Sequence, residues 1–187
     1  VIDEGHSYAM LLTHEFFKRH ADVFSGITAH SGVGYSLRAD DETDDVNAEW
    51  VFANYFDVLG VGPEIGRVFL QSDDIPNEPR VVVLSHSLWI QRFGGDRSVV
   101  GRMIPIYGEN HEIIGVMPAS FRAALVTNAS LWRPMRLNPA NPQRSLAVFH
   151  TIGRLRTGVS LAQAKAALTT LAKQLEQAYP KTDVGKG

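Results

Sequence analysis

The residue types that most often carry out chemistry occur in this chain, but their spacing does not assemble a recognisable catalytic or metal site. Ser85 stands beside His86, yet the surrounding VLSHS differs from the GxSxG of a nucleophile elbow, and Ser85 is more simply explained as a helix cap. A hydrolase therefore has the poorest support. The histidines form no HxH or HExxH pair and no helical i, i+4 pair of the kind that zinc sites use: they are His6, His14, His20, His30, His86, His111 and His150.

Phosphate-binding and paired-carboxylate motifs are also missing. The glycine-rich stretches 60–66 and 94–96 contain no Lys-Ser or Lys-Thr and do not follow the GxGxxG order, so neither is typical of a nucleotide site. The acids that stand close together fall in a loop or around a turn, where solvated carboxylates are routine: Asp73, Asp74, Glu109 and Glu112. The sequence thus predicts a protein that is not an enzyme, with no catalytic residue, cofactor or metal.

Residues 40–45 form an acidic run that holds five acids in six positions. A calcium loop of the EF-hand type needs alternating ligands, a central glycine and a distal glutamate, and this run has none of that pattern. A solvated hairpin tip explains the run better.

Composition places the chain among soluble-type mixed α/β domains. It has 187 residues, of which 44% are hydrophobic, and a net charge of −2 that offers no basic face for nucleic acid. It has no cysteine and no run of eighteen apolar residues that would span a membrane. Because it starts at Val1 without a signal peptide, we expect a piece of something longer.

The elements that would position any site follow the order α-β-β, then a β-rich middle, then β-α, which predicts an α+β fold. Residues 81–84 form a short apolar run typical of a strand buried on both faces, and Ser160 with Gln163 forms a capping box. The other elements are predicted at residues 8–20 (helix), 24–37, 46–53, 102–107, 111–117, 130–136 and 147–156 (strands), and 160–179 (helix, with an apolar stripe beginning at Leu161). A turn is expected at 108–110.

Residues 54–69 are predicted to be a junction between two packed parts. Aromatic residues in one short helical turn are followed by glycines that redirect the backbone. The eight residues assigned to this predicted joint are Asn54, Tyr55, Phe56, Leu59, Gly60, Gly62, Gly66 and Arg67.

Three stretches, in this order, resemble the MacB-like periplasmic core domain and, more narrowly, FtsX-type permeases of the acidobacterial duplicated orphan permease group. They are VFANYFDVLGVGPEIGRVFLQSDD (51–74), VVVLSHSLWIQRFGGDRSVVGRMIPIYGENHEIIGVMPASF (81–121) and IGRLRTGVSLAQAKAALTTLAKQLEQAYPKT (152–182). The opening SYAMLLTHEFF (7–17) and VFSGITAHS (23–31) fit the same pattern. Pro105 departs from the family, which usually has a strand-continuing residue there.

The resemblance implies a porter-like α/β subdomain, residues 1–60 and 145–187, interrupted by a β-rich sabre-like subdomain, residues 61–144. It also implies a periplasmic domain of an inner-membrane permease that couples movement in the membrane to export or another periplasmic process. The implied partners are flanking transmembrane helices, a cytoplasmic ATPase acting through the membrane part, and a periplasmic adaptor or second permease repeat; nucleic acid is not among them. The alternative is a module that binds a peptide, lipid or amphiphile between its subdomains.

Overall fold

The structure, a computed structural model, describes residues 2–4, 22–39, 42–106, 108–122, 129–136 and 150–178. Its helices are α1 (Tyr55–Leu59), α2 (His86–Phe93) and α3 (Leu161–Ala178). Its strands are β1 (Ile2–Glu4), β2 (Phe24–Ala39), β3 (Glu42–Val51), β4 (Ile65–Gly66), β5 (Val81–Leu84), β6 (Met103–Ile106), β7 (Glu109–Val116), β8 (Leu131–Pro134) and β9 (His150–Leu155). The mixture of strands and helices confirms the predicted α+β class; the helix predicted at 8–20 lies outside the described residues.

The chain divides into two compact units. The first, called here the terminal unit, comprises Val1–Ala29 and Pro139–Gly187. Within it β9 lies between β1 and the start of β2, so strands from both chain ends pair. The side chains of Phe24, Ile27 and Ala164 form its small core, which holds the N-terminal part of α3.

The second unit, called here the central unit, comprises His30–Asn138. Its strand order is β2-β3-β8-β5-β7-β4, and β6 pairs with both β7 and β2. The pairs β3·β8 and β5·β7 are parallel, while β2·β3 is a long antiparallel hairpin. Its core collects buried residues from β3 to β8 and from α2: Ala48, Ile65, Val82, Leu84, Leu88, Trp89, Val99, Ile104, Ile106, Ile113, Val116 and Leu131.

The boundaries of these units, after Ala29 and after Asn138, differ from those of the predicted subdomains, which lie after residues 60 and 144. The difference concerns residues 30–60, which hold most of β2 and all of β3 and α1 and which the prediction groups with the chain ends. In the structure β3 pairs with β2 and β8, so it belongs to the central unit. The assignment of porter-like and sabre-like subdomains to this chain stays a prediction.

Several local predictions are confirmed because they depend on short-range chemistry. β5 is buried on both faces, as its unbroken apolar sequence predicts. Ser85 caps α2, since its Oγ accepts a hydrogen bond from the backbone N–H of Leu88 at 3.1 Å. At the start of α3, Gln163 Oε1 accepts from the N–H of Ser160 at 2.8 Å, while Ser160 Oγ accepts from the N–H of Gln163, which completes the capping box.

Other details differ from the prediction. The backbone register pairs Ile106 with Glu109, so Glu109 and Asn110, which are predicted to lie in the turn, already belong to β7. Leu161, at the start of the predicted apolar stripe of α3, is exposed, whereas Ala164 of the same stripe is buried. The described part of the acidic run, residues 42–45, lies at the start of β3, where Glu42 pairs with Ala39. No helix among the described residues combines the length and apolar character needed to cross a bilayer.

Candidate functional site

The predicted joint begins with α1, whose residues are packed tightly. Tyr55 and Phe56 are completely buried, and Leu59 is half-buried. Asn54 occupies the N-cap position, but its side chain does not make a capping hydrogen bond. Gly60 ends the helix in the left-handed conformation, with φ 68°, which explains why a glycine stands there. All eight residues of the predicted joint lie in the central unit.

The glycines that follow α1 differ in their surroundings. A Cβ at Gly62 would meet nothing within 4 Å. Gly66 has φ 72°, and a Cβ there would collide with the carbonyl oxygen of Ile114 on β7. Backbone hydrogen bonds from Glu64 and Arg67 to β7, each 2.8 Å long, hold β4 on both sides of Gly66. Gly66 therefore serves close backbone packing.

Phe56 lies at the centre of a group of aromatic rings from separate parts of the central unit. Its ring centroid is 5.3 Å from that of Tyr55 and 5.7 Å from that of Trp132 on β8. Phe69 and Phe121 also lie 5.7 Å from it. Most of these pairs are edge-to-face, an arrangement favoured by the ring quadrupoles. The aromatic residues of the joint thus hold α1 against β8.

Beside these rings lies a buried carboxylate, that of Glu49. Its Oε2 accepts hydrogen bonds from Trp132 Nε1 at 2.8 Å and from Tyr55 Oη at 3.2 Å. Its Oε1 lies 3.7 Å from Nδ1 of His30, and the side chains of both residues are fully buried. We call His30, Glu49, Tyr55 and Trp132 the Glu49 cluster. It connects β2, β3, α1 and β8.

Glu49 is completely buried in the middle of the sheet, where β3 pairs with β2 and β8. Tyr55 of α1 and Trp132 of β8 lie against its side chain. A buried carboxylate is costly unless donors satisfy it, and Tyr55 and Trp132 supply them from distant positions in the chain. Sequence reasoning had no local signal for this cluster.

A second polar group fixes the loop that follows β4. Arg67 donates to both oxygens of Asp73, at 2.6 and 3.1 Å, and the backbone N–H of Leu70 donates to Oδ2 at 2.7 Å. Asp74 accepts from the backbone N–H groups of Ala53, at 3.2 Å, and Arg136, at 2.6 Å. We call Arg67, Asp73, Asp74 and Arg136 the Arg136 clasp. Its two carboxylates are not solvated loop acids, which corrects the prediction.

The two carboxyl groups of the clasp respond differently to their surroundings. Burial by itself would raise the pKa of Asp73, but the hydrogen bonds from Arg67 and Leu70 bring it below the ordinary value. Burial raises the pKa of Asp74 despite its hydrogen bonds from Arg136 and Ala53. The hydrogen bond with Asp73 raises the pKa of Arg67. The clasp thus combines the Arg67–Asp73 ion pair with the carboxyl group of Asp74, which accepts hydrogen bonds from backbone N–H groups.

Arg136 closes the clasp with its side chain. Its Nε donates to the carbonyl oxygen of Asp73 at 3.0 Å and its Nη1 to that of Glu78 at 2.8 Å, while Nη2 donates to that of Pro79. The backbone of Arg136 has φ 52°, which is uncommon for a residue with a Cβ. A residue held in that conformation needs surrounding contacts that outweigh the strain.

Neither polar group resembles a catalytic or metal site. Within the described ranges, no three His, Asp or Glu side chains are grouped so that they could hold a metal ion. The carboxylates of both groups are engaged by hydrogen bonds from the protein itself. Their chemistry suits the fixing of strands, an α-helix and a loop in one arrangement.

Comparison with known proteins gives a consistent result. Residues 6–171 match a family model described as the MacB-like periplasmic core domain. No curated protein sequence matches the chain.

Three solved structures are similar in fold. The periplasmic region of MacB from Actinobacillus actinomycetemcomitans is 19% identical with a TM-score of 0.68, over 95% of this chain and 77% of that one. The extracellular domain of the noncanonic ABC-type transporter YknZ from Gram-positive bacteria is 17% identical with a TM-score of 0.70, over 95% and 87%. A permease-protein domain from Porphyromonas gingivalis is 19% identical with a TM-score of 0.67, over 97% and 77%.

Proposed function

This chain belongs to the MacB-like periplasmic core domain family, and we propose that it passes conformational change between the membrane part of an ABC-type permease and a process in the periplasm, such as export. As a member of that family it is a non-catalytic, extracytoplasmic domain of an inner-membrane permease. The observation that carries the proposal is the family match over residues 6–171, which includes parts of both compact units.

The proposed partners follow from this role. Transmembrane helices of the same permease would flank the domain, and a cytoplasmic ATPase would act on it through them. A periplasmic adaptor or a second permease repeat would receive the movement. The narrower relationship to the acidobacterial duplicated orphan permeases is part of the same proposal.

A domain that transmits movement must not deform under load. The contacts within the central unit indicate that this unit is rigid. The aromatic rings around Phe56 and the carboxylate of Glu49 join α1 to β8, and Gly66 is packed against β7. We therefore propose that the residues of the predicted joint keep the central unit rigid during transmission. Gly62 is the exception, because a Cβ there would meet no atom within 4 Å.

The test uses the whole permease with its ATPase in lipid nanodiscs. Because this chain has no cysteine, a dye can be attached through Gln91→Cys, an exposed position on α2, once cysteines elsewhere in the permease are replaced. Energy transfer from this dye to acceptor-labelled lipids should differ between the ATP-bound and ADP-bound states. An ATPase variant that cannot bind nucleotide is the control, and equal transfer in both states of the active transporter would refute the proposal.

A further inference from the structure

Within the central unit, one short segment carries an unusual share of the exposed apolar side chains. Of the six large hydrophobic residues that are exposed in the described part of the chain, three lie within residues 90–103. They are Ile90, Val100 and Met103, with exposed fractions of 46%, 37% and 57%. Single exposed apolar residues are ordinary on a protein surface, but a group of them indicates a contact surface.

The segment folds back on itself between the end of α2 and the start of β6. The backbone N–H of Asp96 donates to the carbonyl of Phe93 at 3.0 Å, and that of Arg102 donates to the carbonyl of Val99 at 3.1 Å. The guanidinium carbon of Arg102 lies 5.4 Å from the centre of the Phe93 ring. Because Ile90 precedes Phe93 by one helical turn, the start of β6 lies beside the turn of α2 that carries Ile90.

Arginines are interspersed among these apolar side chains. The segment has three positive charges and one negative charge, that of Asp96, whose carboxylate already accepts hydrogen bonds from the N–H and the hydroxyl of Ser98 at 2.9 and 2.6 Å. It is therefore a basic segment in a chain whose net charge is −2. We call the following residues the arginine surface: Ile90, Arg92, Arg97, Val100, Arg102 and Met103.

The composition of the arginine surface favours a protein partner over a lipid surface. Sites for anionic lipid usually combine about four to eight Lys or Arg with apolar anchors such as Trp. This surface has three arginines, and Trp89 of α2 is buried. Arg and Met are enriched in protein interfaces, and the guanidinium fork matches the two oxygens of a carboxylate.

The edge of β6 indicates that such a partner is met by side chains and not by an added strand. Among the described residues, β6 pairs with β7 over residues 103–106 but with β2 only at Ile106. The carbonyl of Arg102 accepts from Ile113 of β7 at 2.9 Å, so alternation along the strand turns the nitrogen of Pro105 towards the open edge. Proline has no N–H to donate there, which disfavours strand addition.

We propose that the arginine surface docks an acidic segment of a partner protein that also presents apolar side chains. Carboxylates of that segment pair with the arginines, and its apolar side chains cover Ile90, Val100 and Met103. Membership of this partner in the permease assembly rests on the proposed function, whereas the docking chemistry does not.

The experiment measures the binding of two synthetic peptides to this chain by fluorescence anisotropy. Both peptides carry leucines on one face of a helix, and the opposite face carries glutamates in one peptide and glutamines in the other. The variants are Arg97→Glu, Arg102→Glu and Met103→Ser. The matched controls are Arg122→Glu, at another exposed arginine, and Leu70→Ser, at another exposed apolar residue. Tryptophan fluorescence verifies that each variant is folded.

The glutamate peptide should bind saturably, and the glutamine peptide should bind roughly tenfold more weakly, because charge-assisted contacts are lost. Arg97→Glu and Arg102→Glu should each weaken binding of the glutamate peptide by about tenfold, and Met103→Ser by about threefold. Both controls should change it by less than about twofold. Added salt should weaken binding, because it screens exposed charges.

Equal affinity for the two peptides, or equal effects of Arg97→Glu and Arg122→Glu, would overturn the proposal. Binding to phosphatidylglycerol vesicles that Arg97→Glu abolishes, without binding of the glutamate peptide, would assign the surface to the membrane instead. Self-association in sedimentation velocity that Arg97→Glu abolishes would assign it to a second copy of this chain. The peptide assay requires neither an ATPase nor a bilayer, so its failure is distinguishable from a missing nucleotide response of the whole permease.

Discussion

At the scale of single residues, His111 is a titratable side chain that the fold removes from water. Its side chain is buried on β7, and Nδ1 lies 2.9 Å from the carbonyl oxygen of Glu109. Burial lowers the pKa of His111 to about 4; the Glu109 carbonyl opposes this change, and the positive charges of Arg133 and Arg80 add to it. The folded protein therefore keeps this imidazole neutral at pH values where an unfolded chain would protonate it.

The consequence is a loss of stability in acid. Between about pH 6.5 and 4 the unfolded state binds a proton at His111 that the folded state does not, so the free energy of unfolding falls as the pH is lowered. We expect His111→Asn to remove a part of this fall on the order of 2 kcal/mol, measured by urea unfolding at pH 7 and pH 4.5. His86→Asn, at a half-exposed position, is the control. An acid dependence in His111→Asn as steep as that of the parent would refute this account.

Two glycines of the predicted joint provide a second test at this scale. Gly66→Ala should lower the free energy of unfolding by roughly 3 kcal/mol, because its φ is positive and the new Cβ meets the carbonyl of Ile114. Gly62→Ala should change it by less than about 0.5 kcal/mol, since the new Cβ meets nothing nearby. Urea unfolding of both variants gives the comparison. Equal losses would mean that close packing is not what requires a glycine at position 66.

At the scale of elements, β8 joins strands and an α-helix that are distant in sequence. It pairs with β3 and β5, and its Trp132 reaches Glu49 and Phe56. Such a strand contributes both apolar packing and a buried hydrogen bond to a carboxyl group. The second contribution can be measured by removing the indole N–H while an aromatic ring is kept.

Trp132→Phe should cost about 2 kcal/mol, because the buried carboxylate of Glu49 loses a donor. Trp89→Phe is a close control, since Trp89 Nε1 donates to the neutral carbonyl of Asp96 at 2.9 Å, and it should cost about 1 kcal/mol. In a double-mutant cycle with Glu49→Gln, the cost of Trp132→Phe should become smaller. Additive costs would show that the carboxylate and the indole are not coupled.

At the scale of the molecule, the central unit has what an independent domain needs. It is continuous in sequence from His30 to Asn138, it has its own hydrophobic core, and the Glu49 cluster and the Arg136 clasp lie within it. The terminal unit instead requires both ends of the chain.

We therefore expect residues 30–138 alone to fold cooperatively, because a chain of roughly one hundred residues can bury enough apolar surface. Circular dichroism and tryptophan fluorescence during urea unfolding should give coincident transitions. Arg136→Ala in this shortened chain should lower the midpoint while cooperativity is kept. If the urea unfolding transition is broad and shows no folded baseline, the central unit does not fold independently.

The sequence by itself determined the elements whose causes are local, and with them the family. The apolar run of β5, the Ser85 cap and the Ser160–Gln163 box follow from neighbouring residues, so a reader of the sequence can place them. The ordered motifs at 51–74, 81–121 and 152–182 also indicate the MacB-like family.

The tertiary structure alone decided which residues surround the predicted joint. Glu49 is buried beside Tyr55 of α1 and Trp132 of β8, and Trp132, which donates to it, is 83 residues away. Asp74 is engaged by Arg136 across 62 residues. No local pattern encodes such pairings, because the energy of burying a charge depends on which distant donors the fold brings to it.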